Sequence, residues 1–171
     1  MKFVRWLDEH AERFLMLTFY CFIVFVIVQD VVRRFGLNYS SAWAQEAAQY
    51  AFIYLGWVGA SAAVKERAHI RFDILLQRLP KTLHGWVFVL AELATMLFAV
   101  IALYWSFHTM GNLLQFEGAT PVLRINKAWF EFAVMFGMIL IIIRCLQALR
   151  RDLADIAAGR DVFAGKAMFE E

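Results

Sequence analysis

Long stretches of uncharged, apolar residues constrain this chain more than any motif in it. Runs without Asp, Glu, Lys or Arg cover 14–29, 47–64, 93–116 and 132–143. Hydrophobic residues make up 62% of the 171 residues, whereas ordinary soluble domains contain about 45–50% apolar residues. A soluble fold of this size cannot bury so many apolar side chains, so the chain is predicted to reside in a membrane.

The apolar runs have the length of membrane-spanning helices. A spanning helix needs about 20 mostly apolar residues, and lipid requires every backbone polar group to be satisfied within its own segment. The sequence therefore predicts an all-α integral membrane protein with four transmembrane helices, near 14–33, 42–64, 84–110 and 128–149.

The segments between the predicted spans are too short to hold a soluble domain. Residues 1–171 are therefore expected to form a single membrane domain, with a tail from 150 to 171. The flank before the first span carries acids as well as bases, and no small-residue cleavage site follows the span. The first span is therefore expected to be an anchor that is not cleaved.

The positions of the basic residues predict the orientation of the spans. Of the 17 Lys and Arg residues, 13 lie in the amino-terminal flank, the middle loop and the tail, and four lie in the other two loops. Cytoplasmic loops carry the excess of basic residues. Both termini are therefore predicted to be cytoplasmic.

The stretch "IRFDILLQRLP", residues 70–80, follows the second span. Ile74, Leu75 and Leu79 share one helical face, Phe72 fits that face less well, and Pro80 ends the pattern. The sequence predicts a short interfacial helix between spans two and three. His69 is expected to be a hydrogen-bonding residue at the junction rather than a chemical group.

The histidines and cysteines do not form a recognisable cofactor or metal site. His84 and His108 stand 24 residues apart in the third predicted span, about 36 Å along a helix, and His10 and His69 lie outside the apolar runs. The sequence has no HExxH or CxxC motif, so no metal, cofactor or catalytic residue is expected. A haem-bearing respiratory membrane subunit nevertheless stays open as an alternative, because four-helix bundles ligate haem through paired histidines.

The two cysteines both fall inside predicted spans, near their cytoplasmic ends. Neither a disulfide framework nor a thiolate metal site is indicated by this placement. Cys21 and Cys145 are expected to be buried free thiols.

Three acidic residues lie near the outer ends of spans. Asp30 precedes Arg33 and Arg34 at helical spacing, which predicts local ion pairs. Glu46 falls in the first turn of span two behind Ser40 and Ser41, where it either favours the helix dipole or contacts a partner, and both interpretations stay open. Glu131 has the same dipole position in span four.

Glu92 lies deep in the third span, where a charge requires a partner. Span three runs outward and span four runs inward, which places Arg144 at a similar depth. The sequence predicts a structural ion pair between Glu92 and Arg144, with Thr95 or a partner protein as competitors for Glu92.

The region around span two resembles a known family. An ordered set of residues carries the resemblance: Trp43 and Glu46 open the span, small residues lie near its end, and a basic turn and an "LP" pair follow. The residues are Trp43, Glu46, Gly59, Ala60, His69, Ile70, Asp73, Leu79 and Pro80. This set is similar to the signature of the small, DctQ-like membrane subunit of tripartite ATP-independent periplasmic (TRAP) transporters. The proline often found before Trp43 is missing.

The resemblance implies a transport role without catalysis. In such systems a soluble periplasmic protein captures an organic acid, and a large multispan subunit of the bacterial inner membrane imports it with a sodium gradient. The resemblance implies that this chain braces that large subunit, in contact with membrane lipid and without binding nucleic acid. A stand-alone membrane assembly protein is the other alternative.

Small residues cover the inner half of span two, and two interpretations of them stay open. Helices associate in lipid by close packing of small residues. The surface packs either against this chain's own spans or against the large subunit; it consists of Gly56, Gly59, Ala60, Ser61, Ala62 and Ala63.

Overall fold

A computed structural model describes residues 2–39, 41–66, 81–115 and 118–160. The described residues form four α-helices and contain no strand, and one isolated β-bridge joins Ala119 to Asn126. The helices are α1 (Lys2–Gly36), α2 (Ala42–Lys65), α3 (Lys81–Gln115) and α4 (Ala128–Ala157). All four are long and apolar enough to cross a membrane. The predicted four-helix, all-α membrane architecture is confirmed.

Three of the helices are longer than their predicted spans. α1 begins at Lys2 rather than near 14, α3 ends at Gln115, and α4 continues to Ala157. At 1.5 Å per residue, the 35 residues of α1 extend over about 52 Å, well beyond the ~30 Å hydrocarbon layer. Helices continue past the apolar segment because the flanking Glu, Arg, Leu and Ala residues favour helix in water as well.

The helices pack in the order α1, α2, α4, α3, so that α2 and α4 occupy the middle. These two helices approach each other closely: a Cβ added at Gly137 of α4 would come within 2.6 Å of the Cβ of Trp57 on α2. The side chain of Trp57 therefore occupies the space that a side chain at position 137 would fill. The central core cluster draws on α2, α3 and α4; it consists of Val64, Ala99, Met138, Ile141 and Cys145.

The outer helix α1 exposes large apolar side chains around more than half of its circumference. Phe14 is 69% exposed, and Phe25, Ile27 and Val28 are also exposed. A helix that is apolar on nearly every face is typical of a membrane environment. The surface of α1 therefore has the composition expected of a helix in lipid.

Candidate functional site

The most polar interior site in the described residues joins three helices at Glu12. Its carboxylate accepts a hydrogen bond from Arg144 Nε at 2.7 Å and from Ser61 Oγ at 2.9 Å, and Lys65 Nζ lies 3.8 Å away. Arg144 also donates from Nη1 to Gln147 Oε1 at 2.6 Å. The side chains of Glu12 and Arg144 are only 6% and 8% exposed. We call these five residues the Glu12 cluster.

The Glu12 cluster forms because three helices present polar groups at one level. Glu12 lies on α1, Ser61 and Lys65 lie one turn apart on α2, and Arg144 lies on α4. A lone buried charge is costly, and removal of one partner from a buried pair leaves an uncompensated charge. The cluster therefore fixes the rotation of all three helices.

Glu12 was not predicted as a site residue, because the predicted first span begins near residue 14 and leaves Glu12 in the aqueous flank. The helical spacing of the residues that follow it could have indicated its position. Glu12 shares one face of α1 with Met16, Phe19 and Val26; Val26 is buried at 2% exposure. An acid at the start of an apolar stripe with period 3.6 points into the protein.

Glu92 is buried at 3% exposure on α3, as its position predicts. The thiol of Cys145 lies against its carboxyl group. Because Arg144 precedes Cys145, Glu92 and Arg144 lie at the same level, while the Arg144 side chain binds Glu12. The competitor Thr95 instead donates its hydroxyl to the carbonyl of Ala91. The Glu92–Arg144 pair stays a prediction.

Asp30 joins the carboxyl-terminal end of α1 to the start of α2. Its Oδ1 accepts bonds from Ser41 Oγ at 3.0 Å and from Ser41 N at 3.3 Å. Its Oδ2 lies 3.2 Å from Arg34 Nη2, which is one of the two local pairs that the spacing predicts. Ser41 is the N-cap residue of α2, but its hydroxyl binds Asp30 and makes no cap bond.

Glu46 binds the segment between α3 and α4. Its two oxygens accept the backbone N–H groups of Val122 and Leu123 at 3.0 and 2.9 Å. This carboxylate therefore binds a turn that lies 76 residues further along the chain. It does not lie in the first turn of its own helix, because the first turn of α2 contains no acidic residue. Neither interpretation from the sequence included this contact, because a sequence does not show which loop folds back.

Hydrogen bonds within the same segment fold it into a turn before α4 begins. Thr120 N donates to the carbonyl of Ile125 at 2.9 Å, and Ile125 N donates to Thr120 Oγ1 at 3.2 Å. Asn126 Oδ1 then accepts the N–H of Ala128 at 2.8 Å. Glu131 lies in the first turn of α4, as predicted, and accepts a hydrogen bond from Ser106 of α3. The ends of the four helices on this side of the bundle are thus joined by side-chain contacts.

The residues of the family signature lie in different surroundings. Trp43 is half-buried at the start of α2, and Ala60 packs against the core cluster. A Cβ added at Gly59 would meet only Met16 Sδ, at 3.7 Å. His69, Asp73 and the predicted interfacial helix lie outside the described residues.

The two cysteines differ. Cys145 is buried, as expected, but Cys21 is exposed. The expectation for Cys21 was wrong because α1 packs along one narrow face and Cys21 lies on the opposite side. Among the residues that the structure describes, no group of three or more His, Cys, Asp or Glu could hold a metal ion.

The fold and these contacts define a multi-pass membrane protein whose polar interior groups join its own helices. Residues 23–155 match the family model of the DctQ component of tripartite ATP-independent periplasmic transporters. Because this match covers most of the 171 residues, the chain belongs to the DctQ family. The relatives are transporter permease subunits and not enzymes.

Three relatives illustrate the relationship. The sialic acid TRAP transporter small permease protein SiaQ of Vibrio cholerae is 24% identical over 151 residues, which cover 87% of this chain and 85% of that protein. The C4-dicarboxylate TRAP transporter small permease protein DctQ of Vibrio cholerae is 28% identical over 123 residues, 72% of this chain and 49% of that protein. The isethionate TRAP transporter permease protein DctMQ of Oleidesulfovibrio alaskensis is 26% identical over 152 residues, 84% of this chain but 24% of the longer protein.

Proposed function

We propose that this chain is the small bracing subunit of a TRAP transporter and that it performs no transport alone. It holds a large multispan permease subunit in the bacterial inner membrane, both of its termini are cytoplasmic, and residues 1–171 form one membrane domain. The complete transporter imports an organic acid that a periplasmic binding protein delivers, and a sodium gradient drives the import.

One observation carries this proposal: three acidic side chains of α1 and α2 make contacts within the chain. Glu12 binds Arg144, Asp30 binds Ser41, and Glu46 binds the turn at Val122. Acidic groups that are paired and hydrogen-bonded within the chain hold its helices in place, which supports a structural role. Side-chain contacts between helices suit a subunit that braces a partner. Substrate sites of secondary transporters are instead formed by interrupted helices near the midplane of the membrane.

The relatives support the choice of a large permease as partner. The chain matches 24% of DctMQ and 23% of the sialic acid TRAP transporter permease protein SiaT of Haemophilus influenzae. In those proteins the matched region is a quarter of a longer permease chain. A separate chain of this family would bind its large subunit without a covalent link.

Affinity purification of the tagged chain in mild detergent tests the proposal. We expect a second membrane subunit several times larger to copurify. Reconstitution should show no sodium-driven uptake by this chain alone, and deletion of the chain should abolish uptake by the complete system. Uptake by the lone chain, or purification without a large subunit, would contradict a bracing role, and a haem absorption band would favour the respiratory alternative.

A further inference from the structure

One face of α2 is exposed although α2 lies in the middle of the helix row. Gln45, Gln49, Phe52 and Gly56 follow each other at steps of four, three and four residues and are all exposed, with Phe52 at 66%. These spacings place the four residues one above another on a helix. We call this stripe the α2 face.

The α2 face carries carboxamides at a depth where water is absent. The 24 residues of α2 extend over about 36 Å, against a hydrocarbon layer of ~30 Å. Gln49 lies seven residues after the first residue of α2, about 10 Å along the helix, and therefore roughly 7 Å below the hydrocarbon boundary if α2 is centred. An amide in hydrocarbon is unfavourable unless another group hydrogen-bonds to it.

Gly56 adds a second, steric observation. A Cβ at Gly56 would meet nothing within 4 Å, whereas a Cβ at Gly137 would collide with Trp57. Glycine inside a helix costs about 0.5–1 kcal/mol relative to alanine. The packing within this chain explains Gly137 but does not explain Gly56. A glycine on an exposed face lets a second backbone approach closely.

We propose that the α2 face is the surface on which a helix of the large permease subunit packs, with its polar groups hydrogen-bonded to Gln45 and Gln49. This inference rests on the function proposed above and specifies its interface. Lipid tails offer no hydrogen bonds to a carboxamide. We propose a large permease rather than a second copy of this chain as the partner. In DctMQ and SiaT the matched region is only a quarter of one longer permease chain, so the rest of that chain is available to pack against it.

Site-specific photocrosslinking in the intact complex tests the α2 face. A benzophenone amino acid replaces Gln49 or Phe52. The controls carry it at Phe25 of α1 or Leu97 of α3, which are 67% and 62% exposed, close to the 66% of Phe52. We expect adducts with the large permease at Gln49 and Phe52 and lipid adducts at the controls. Permease adducts at the controls alone would overturn the proposal, and so would adducts between two copies of this chain.

A pair of glycine variants provides the second measurement. Gly56 and Gly111 are both exposed helix glycines with nothing within 4 Å of an added Cβ. Gly56→Leu should lower the yield of the complex about tenfold through overpacking at the interface, while Gly111→Leu should leave it unchanged. Both variants should raise the midpoint of thermal unfolding of this chain alone slightly and by a similar amount, because leucine favours the helix more than glycine does.

The two proposals fail in different ways. If the wild-type chain does not copurify with a large permease, the proposed function fails. If the complex copurifies but Gly56→Leu leaves its yield unchanged and Gln49 does not crosslink to the permease, only the docking surface is wrong.

Discussion

Glu12 of α1 and Arg144 of α4 form a buried ion pair at 2.7 Å, although 132 residues separate them in the chain. The pair joins an outer helix to a central one. Ser61 and Lys65 of α2 contact the same carboxylate. The position of α1 in the row therefore depends on one carboxylate that three other side chains approach.

Loss of the Glu12 charge should destabilise the chain more than loss of any exposed charge. Glu12→Gln leaves Arg144 buried without its counter-ion, for which we expect a loss of about 3–5 kcal/mol in the free energy of unfolding. Unfolding followed in detergent measures the change. Glu66→Gln is the matched control, because Glu66 is exposed just beyond α2, and a similar loss in both variants would contradict the role of the cluster.

Gly137→Ala should separate α2 from α4. The added Cβ would lie 2.6 Å from the Cβ of Trp57, and the resulting overpacking costs about 1–3 kcal/mol. The midpoint of thermal unfolding measures this loss. Gly111→Ala is the control, since its Cβ meets nothing within 4 Å. Equal stability of Gly137→Ala and wild type would show that the two helices are not held at this distance.

Glu46→Ala should release the segment between α3 and α4. The N–H groups of Val122 and Leu123 lose their charged acceptor, so both amides are protected less from exchange with solvent. Hydrogen exchange at these two amides should accelerate by at least tenfold. The Ala158 amide, which donates to the carbonyl of Ala154 at the far end of α4, serves as internal reference, and unchanged exchange at Val122 would contradict the contact.

The orientation of the chain can be tested by cysteine labelling. Asn38 and Gln115 lie at the ends of α1 and α3 that the distribution of basic residues places outside. After replacement of Cys21 and Cys145, single cysteines at Asn38 and Gln115 should react with an impermeant thiol reagent added to intact cells. A cysteine at Arg67 should react only after the membrane is opened, and the reverse pattern would invert the topology.

A double-mutant cycle tests the predicted coupling of Glu92 and Arg144. Glu92→Gln and Arg144→Gln should each lower the yield of the complex, and their combined effect should differ from the sum of the two. Glu12→Gln with Arg144→Gln provides the reference cycle, because that pair is in contact at 2.7 Å. Additive effects for Glu92 and Arg144 would show that the two groups act independently.

Features that depend on the composition of one helix, or on the spacing of residues along it, were predicted from the sequence. The four apolar runs gave the four helices, and the spacing of Asp30 and Arg34 gave their ion pair. The partners of Glu12 and Glu46 were not predictable, because both contacts bridge distant parts of the chain. Such contacts depend on the rotation of each helix, which is set by packing that includes the approach of Trp57 to Gly137.

The small residues of span two show the same limit. The sequence left open whether they contact this chain or another, and the structure divides them. Ser61 binds Glu12 and Ala60 packs on the core, whereas Gly56 faces outward. Small residues of the same helix therefore lie on different surfaces. Which surface each residue lies on depends on the rotation of the helix about its axis.

The Glu12–Arg144 pair also imposes an order on biosynthesis. Arg144 is synthesised 132 residues after Glu12, a delay of roughly 7–26 s at 5–20 residues per second. During that interval α1 has left the ribosome with an acid whose final partner does not yet exist. Lys65 and Ser61 emerge earlier and are the first partners that the nascent chain offers. A ribosome that stalls before α4 would leave an incomplete product in which Glu12 has no Arg partner.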